Sequence, residues 1–396
     1  MNVPEEIFRG KRLLFVVNEA FFFVSHRLAL AQAAAQQGFE VHVAAPEDNV
    51  WAPEGFCYSE IERLGFTFHT LRVDRRGMNP FTDLGTLVAL VRLYRSLRPT
   101  LVQHITIKPV LYGGIAARVT SIPGVLNLVT GLGQVFVGKG LGYRALRFAV
   151  VQLYRFAAGH QNQVMMFQNH GDRDRLVAER VVANTATDVV PGSGVDLVRF
   201  TPRDEPVDER KIVVLPGRML WEKGVEEFVA MARRLKERGC TARFVLLGGT
   251  TDKSPAAVPV EAIEDWVSDG HIEWWGRSEE MELTLAMCSI VCLPTYYGEG
   301  VPKVLLEAMA LARAVVAADV PGCREVVIHE KNGLLVPPRD EVLLANAVIA
   351  LLEDPGRRCR LGSEARKTVE SGFSEQAVVD RTFAVYEKLL TGNPNA

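Results

Sequence analysis

The feature that most limits what this 396-residue chain can fold into is an alternation of short apolar runs with helical patterns, running in two series. "RLLFVVNEA" (12–20) is an apolar run that ends in polar residues. "SHRLALAQAAAQQG" (25–38) follows with helical periodicity, a terminal Gly38 and Ser25 in the N-cap position. "FEVHVAAP" (39–46) is the next apolar run, so the three segments predict a βαβ unit with parallel strands. The alternation continues through "TFHTLRV", "DLGTLVALVRLYRSLR", "TLVQHI", "VLYGGIAARVT", "QVMMFQN" and "GDRDRLVAER". It breaks in "PGSGVDLVRFTPRDEP" (191–206) and restarts at "KIVVLPG" (211–217). The second series has strands in "ARFVLLGG", "HIEWWG", "IVCLPT" and "AVVAAD", and helices in "VEEFVAMARRLKERG", "EEMELTLAMCS" and "VPKVLLEAMALA". Asn332-Gly333 reads as a tight hairpin turn, and helical patterns at 340–354 and 375–391 finish the chain. The expectation is two doubly wound α/β halves joined near residue 200. Ligands of such sheets sit beyond the strand C-termini, and two facing halves make the cleft between them the expected site.

Charge is distributed unevenly. The formal net charge is −2, yet Arg63–Arg155 holds thirteen Lys or Arg and only two acids, Asp74 and Asp83. Between Thr100 and His160 there is no acid at all. The asymmetry suggests a polyanionic partner: a nucleic acid, an anionic bilayer or a phosphorylated substrate. No window supplies the roughly 18 continuous apolar residues of a spanning helix, and "MNVPEEIFRG" lacks the apolar region of a secretory signal. The expected location is cytoplasmic, or peripheral on the cytoplasmic face of the inner membrane. The six cysteines are scattered, which suits buried thiols in a reducing compartment.

Two loops of the second series carry chemistry. In "YYGEGVPKVLLEAMAL" (296–311), Glu299 lies in a Gly-rich turn and Glu307 about one and a half turns into the following helix. Pro302 suits a helix start, and first-turn amides there form an anion site. A carboxylate inside the helix can accept two hydrogen bonds from a diol such as ribose. Read alone, the pair also fits an acid favoured by the helix dipole plus a solvated glutamate. In "PGRMLWEKGVEEF" (216–228), Arg218 and Lys223 stand five apart between a strand and a helix. An arginine fork and a lysine point charge both suit phosphate oxygens, as they also suit plain solvation.

Together, and in this order, the two loops resemble retaining glycosyltransferases of the GT-B fold, family 4. The family's E-x7-E falls on Glu299 and Glu307, and its G-R…K-G on Gly217-Arg218…Lys223-Gly224. "GVDLVRF" (194–200) and "GLLVPPRD" (333–340) also resemble family stretches. The resemblance implies an acceptor-binding, membrane-facing Rossmann-like domain over 1–200 and a nucleotide-sugar-binding one over 201–374. A C-terminal helix over 375–396 would cross back to the first. It further implies that Gly217, Arg218 and Lys223 bind the nucleotide diphosphate, that Glu307 holds the ribose, and that the segment Gly300, Val301, Pro302 and Lys303 contacts diphosphate and sugar through its amides. Glu299 would contact the donor sugar, and Arg277 would line the base. Such enzymes need no metal, so no metal or cofactor is expected beyond the donor, most simply a UDP-sugar carrying an N-acetylhexosamine or hexose.

The first half departs from the commonest pattern of the family, which has a Gly-Gly pair after the first strand. "NEAFFFVSHRLALA" (18–31), "HITIKPVLYGG" (104–114), "TGLGQVF" (130–136) and "MFQNHGD" (166–172) instead resemble a bacterial subgroup that extends sugars on undecaprenyl diphosphate. Transferases adding N-acetylgalactosamine to a bacillosamine carrier lipid belong to it. This implies a polyprenyl-diphosphate-linked sugar as acceptor, with His26, Arg27, His104 and Lys108 toward it. The basic span 63–155 then reads as facing an anionic membrane. In "LGYRALRFAVVQLYRFAAG" (141–159), Arg144, Arg147 and Arg155 fall within about 80° of helix arc among interfacial aromatics. No recognised nucleic-acid module appears. "DRD" (172–174) begins a helix and reads as N-terminal acidity rather than a metal motif. "GLGQVFVGKGLG" (131–142) is not a clean dinucleotide fingerprint. Competing readings are a related transferase with a soluble acceptor, a two-lobed UDP-sugar epimerase, and a non-enzymatic nucleotide binder.

Overall fold

The computed structural model describes residues 5–47, 55–73, 79–132, 136, 140–206, 210–251, 254–298 and 300–392. It consists of two compact units, Met1–Ser193 with Gln376–Ala396, and Gly194–Glu375.

The first unit is built on strands Arg12–Val17 (β1), Glu40–Ala45 (β2), Thr67–Thr70 (β3), Leu101–Ile105 (β4), Gly124–Val129 (β5), Gln163–Phe167 (β6) and Thr187–Val189 (β7). They lie in the order β3-β2-β1-β4-β5-β6-β7, all parallel. The central strands are buried on both faces, which is why they read as unbroken apolar runs rather than alternating ones. The sequence order reverses between β1 and β4, so the loops leaving those two strands flank the topological switch point.

Helices Ala20–His26 (α1), Leu28–Gln36 (α2) and Phe56–Arg63 (α3) cover one face, packing with Phe15, Val17, Val43 and Leu126. The terminal helix Glu375–Thr391 joins the same layer through Phe383, Tyr386 and Leu389. Its Tyr386 hydroxyl donates to Gln103 Oε1, and Asn162 Nδ2 donates to Leu389 O at 2.7 Å. Helices Pro80–Leu97 (α4), Gly114–Thr120 (α5) and Leu141–Ala157 (α6) cover the other face, followed by His170–Ala178 (α7). A π-turn, Pro109–Gly113, precedes α5 where a plain helix start was expected. Asp172 of the "DRD" stretch is held by the N-cap Asn169, whose Nδ2 donates to Asp172 Oδ2 at 2.8 Å. Half of "GLGQVFVGKGLG", residues 133–135 and 137–139, lies outside the described residues.

The second unit holds strands Ile212–Pro216 (β8), Arg243–Leu247 (β9), Glu273–Gly276 (β10), Ile290–Leu293 (β11), Ala314–Ala318 (β12) and Leu334–Val336 (β13). Their order is β10-β9-β8-β11-β12-β13, again parallel, with the switch between β8 and β11. Helices Val225–Glu237 (α8), Val260–Ser268 (α9), Met281–Ala286 (α10), Lys303–Ala310 (α11), Pro321–Arg324 (α12), Glu341–Glu353 (α13) and Pro355–Gly372 (α14) pack around it.

Three local expectations are corrected. Ser25 is not an N-cap: the helix begins at Ala20, and the Ser25 hydroxyl donates back to Phe21 O at 2.6 Å. Asn332-Gly333 makes no hairpin, because β13 runs parallel to β12. Asn332 is buried and acts as a bracket, accepting from Ile328 N at 2.7 Å and donating to Val326 O at 2.9 Å. Gly333 is there for space, since a Cβ would stand 2.6 Å from Val315. The eighteen-residue α14 lies in a stretch given no helix from sequence.

Candidate active site

The second unit assembles its site at the switch point. β8 runs straight into Gly217 (φ +142°), whose N–H donates to Leu247 O at 2.9 Å. Gly248 (φ +153°) lies so near that a Cβ on it would be 1.7 Å from Gly217 O. The loop then passes exposed Arg218 and a short 3₁₀ turn, Trp221–Lys223, with Lys223 half-buried. Gly224 (φ +77°) starts α8 against Pro294. The Glu222 carbonyl accepts from Tyr296 N and from Thr295 Oγ1, both at 3.0 Å. The loops after β8 and β11 are therefore tied to each other, and Arg218 and Lys223 belong to the same edge as the start of α11.

That start is built from Gly300, Val301 and Pro302, all buried, with Pro302 at the N-cap. The first helical bond is Leu305 N to Pro302 O at 3.1 Å, so the amides of Lys303 and Val304 stand ahead of the ladder, where helix N-termini meet anions. Glu307 follows one turn after Lys303. Burial pushes its carboxyl up to about 7, against the opposing pull of Lys303 and Arg199. Glu375 and Glu282 push the same way as burial. Lys303 Nζ lies 4.0 Å from Glu375 Oε1, and Arg199 grips Glu282 with Nε at 2.9 Å and Nη2 at 2.6 Å. Glu307 thus sits among two cations and two further carboxylates. Of these, sequence reasoning named only Lys303. Arg199 lies within "GVDLVRF", which gave a family likeness but no role. Arg339, in "GLLVPPRD", stacks over the Tyr296 ring at 4.0 Å and was missed in the same way. Arg277 is exposed, just past the end of β10. Glu299 lies outside the described residues.

The first unit treats its four candidates unequally. His104 is fully buried. Its Nδ1 donates to Asn127 Oδ1 at 2.7 Å, an acceptor-only atom, which leaves Nε2 to accept from the Tyr94 hydroxyl at 2.7 Å. Asn127 passes the chain on to Gln163 Oε1 at 3.1 Å. Burial pushes the imidazole down to about 4. The expectation that His104 faces an acceptor is corrected: it ties α4 to β4, β5 and β6 from inside. Arg27 is corrected too. It is 2 % exposed, set at the break between α1 and α2 in the layer that includes Tyr386, and burial lowers it to about 10. Its Nε and Nη2 have no hydrogen-bond partner among the described residues. His26 remains half-buried and accessible, its ring stacked on Phe22 at 4.3 Å and its Nδ1 2.6 Å from Ser25 Oγ. Lys108 opens the π-turn after β4 and pairs with Asp83 at 2.7 Å.

Comparison with known proteins places this geometry. Residues 12–169 match the family described as glycosyl transferase 4-like, and residues 210–354 match glycosyl transferases group 1. The chain belongs to the group 1 and 4-like glycosyltransferases. This transferase is 26% identical over 391 residues to the N,N'-diacetylbacillosaminyl-diphospho-undecaprenol alpha-1,3-N-acetylgalactosaminyltransferase of Campylobacter jejuni, covering 96% of this chain and 99% of that one. It is 31% identical over 224 residues to the alpha-D-kanosaminyltransferase of Streptomyces kanamyceticus, covering 54% and 56%. Among solved structures, Anabaena Alr3699/HepE in complex with UDP superposes with a TM-score of 0.74 at 15% identity, over 95% of this chain and 100% of that one. WaaG, a glycosyltransferase involved in lipopolysaccharide biosynthesis, gives 0.71 at 13%, over 96% and 100%. The fold of the transferase is accordingly GT-B, as its sequence resemblance implied.

Proposed function

We propose that this glycosyltransferase moves an N-acetylhexosamine or hexose from a UDP-sugar to a polyprenyl-diphosphate-linked sugar, retaining anomeric configuration and using no metal. The observation that carries the reading is the joining of the Arg218–Lys223 loop to the start of α11 through the Glu222 carbonyl. It gathers cations and helix-start amides on one edge, with Glu307 one turn further in. Glu307, ionised when it accepts the two ribose hydroxyls, fixes the nucleoside. Arg218, Lys223 and the N–H groups of Gly300, Val301 and Lys303 meet the charge that grows on the diphosphate as its bond to the anomeric carbon breaks. The acceptor hydroxyl attacks from the side on which the diphosphate leaves and passes its proton to the departing phosphate oxygen on that side, so configuration is kept. Glu299 orients the donor sugar, and Gly217 and Arg277 complete the donor side.

The near end-to-end likeness to the Campylobacter enzyme, named for a lipid-diphosphate-linked substrate, supports the acceptor class. Lys108 and the accessible His26 are the acceptor-side groups of this reading. The basic span 63–155 faces an anionic membrane, and the enzyme works peripherally on the cytoplasmic face of the inner membrane. No helix among the described residues is long and apolar enough to cross one. Turnover of a panel of UDP-sugars on polyprenyl-diphosphate-linked acceptors, followed by UDP release, tests the proposal. Lys223→Ala and Glu307→Ala each lose most activity. Full turnover in both variants, or transfer only to soluble acceptors, overturns it.

A further inference from the structure

Helices α4, α5 and α6 lie side by side on one face of the first sheet, with Leu90, Tyr94, Ala116, Ala117, Val151 and Tyr154 turned inward. Their outer side is unlike an ordinary solvated surface. On α4, Phe81 is 84 % exposed and Leu84 57 %, with Val88 beside them. On α6, Leu141 is 81 % exposed and Phe148 68 %. At about 100° per residue, Phe81, Leu84, Val88, Arg92 and Arg95 fall in an arc of roughly 80° on α4. On α6, Leu141, Arg144, Phe148 and Arg155 fall in roughly 60°. Each outer stripe therefore mixes exposed apolar side chains with arginines. Residues 80–160 contain a single acid, Asp83, and Lys108 neutralises it.

Scattered apolar residues on a surface mean little, but a continuous exposed stripe calls for a cover. The charge decides which cover. A stripe that offers large apolar groups and cations together, with no acid to repel phosphate, matches the headgroup and acyl boundary of an anionic bilayer. A nucleic acid would use the arginines and leave Phe81, Leu84 and Leu141 in water.

We infer that the outer face of α4 and α6 docks onto an anionic bilayer by insertion as well as attraction, with Phe81, Leu84 and Phe148 entering the acyl boundary and Arg92, Arg95 and Arg144 meeting lipid phosphates. This deepens the membrane part of the proposed function and rests on it only for the choice of lipid. The Asp83–Lys108 pair joins the inserted end of α4 to the loop after β4, so the docking helix and a proposed acceptor-side lysine share one corner of the unit.

Flotation of the full chain with phosphatidylcholine vesicles, with and without phosphatidylglycerol, tests the inference independently of sugar transfer. The parent floats with phosphatidylglycerol vesicles, and a fraction stays bound in high salt. Phe81→Ser with Leu84→Ser lowers partitioning roughly tenfold or more at both salt levels. Arg92→Glu with Arg95→Glu weakens binding chiefly at low salt. A parent that does not float, or a double-serine variant that floats like the parent, overturns the inference. So does binding to a single-stranded oligonucleotide in place of vesicles. An unchanged UDP thermal shift in each variant establishes that it is folded. If flotation succeeds while transfer to a detergent-solubilised lipid acceptor fails, the docking stands and the acceptor reading falls.

Discussion

Gly224 lies against Pro294 so closely that a Cβ on it would stand 2.3 Å from the Pro294 carbonyl oxygen. With φ +77°, the position is also left-handed backbone that a side chain resists. This contact sets how near the loop of Arg218 and Lys223 comes to the loop that leads into α11. Gly224→Ala should therefore cost about 2 kcal/mol or more of stability through backbone displacement, and weaken UDP binding by at least an order of magnitude. Calorimetric titration with UDP checks this; parental affinity in the variant would separate the two loops functionally.

Glu307 gives a pH signature. Its folded value of about 7 lies above that of a solvated carboxylate. Protonation is favoured in the folded chain, so its contribution to stability is complete below about 4.5 and is lost as pH rises through 7. In the proposed ribose-binding role, ligand affinity runs the other way, because a diol needs the ionised acceptor. UDP-sugar affinity should fall by up to about tenfold per pH unit below 7. A UDP-sugar is the right probe, since its diphosphate diester does not titrate there. Glu307→Gln should bind weakly and flatten the profile. A parental profile equally flat between pH 5.5 and 8 would remove the ribose role.

His104 carries the opposite sign. Its folded value of about 4 lies below the usual imidazole value. The stability it contributes is present above about 6.5 and is lost as pH falls toward 4. His104→Ala should cost roughly 2–4 kcal/mol, since it strands the Tyr94 hydroxyl and the Asn127 carbonyl inside the unit. Denaturant titration checks it, and UDP binding should survive. A variant as stable as the parent but unable to use acceptor would restore the contact that burial argues against.

Arg27 invites a gain of stability. A guanidinium held 2 % exposed carries a desolvation cost, and its Nε and Nη2 have no hydrogen-bond partner among the described residues to offset it. Arg27→Met fills similar volume without the charge and should raise the melting temperature by a few degrees, about 1 kcal/mol or more. A lowered melting temperature would mean that the charge is satisfied within the folded unit.

The sequence announced most of the strands clearly, because strands buried on both faces are plain apolar runs, whereas their order in each sheet, and so the two switch points, came only from the structure. The runs were enough to put Arg218 and Lys223 after β8 and Glu307 after β11. It did not reveal the surroundings of Glu307, since Arg199, Glu282 and Glu375 come from three remote segments. His104 misled because a polar residue at the end of a strand looks the same whether it faces a ligand or a Tyr–His–Asn–Gln chain in the interior. The helix Pro355–Gly372 escaped because it is strongly charged and glycine-bearing. Gly362 is there because Ala312 O would lie 2.1 Å from any Cβ, a packing reason invisible along the chain. Asn332-Gly333 carried the letters of a turn, yet the asparagine serves as an interior bracket.

The helix Glu375–Thr391 closes over the first sheet although almost the whole second unit is encoded before it. On the ribosome, the layer that needs Phe383, Tyr386 and Leu389 must wait, with Gln103 unmatched, while the second unit is being made. The unit that begins first therefore finishes last. A nascent chain halted before residue 376 would expose the apolar seat of that helix to chaperones, even with its second sheet fully formed.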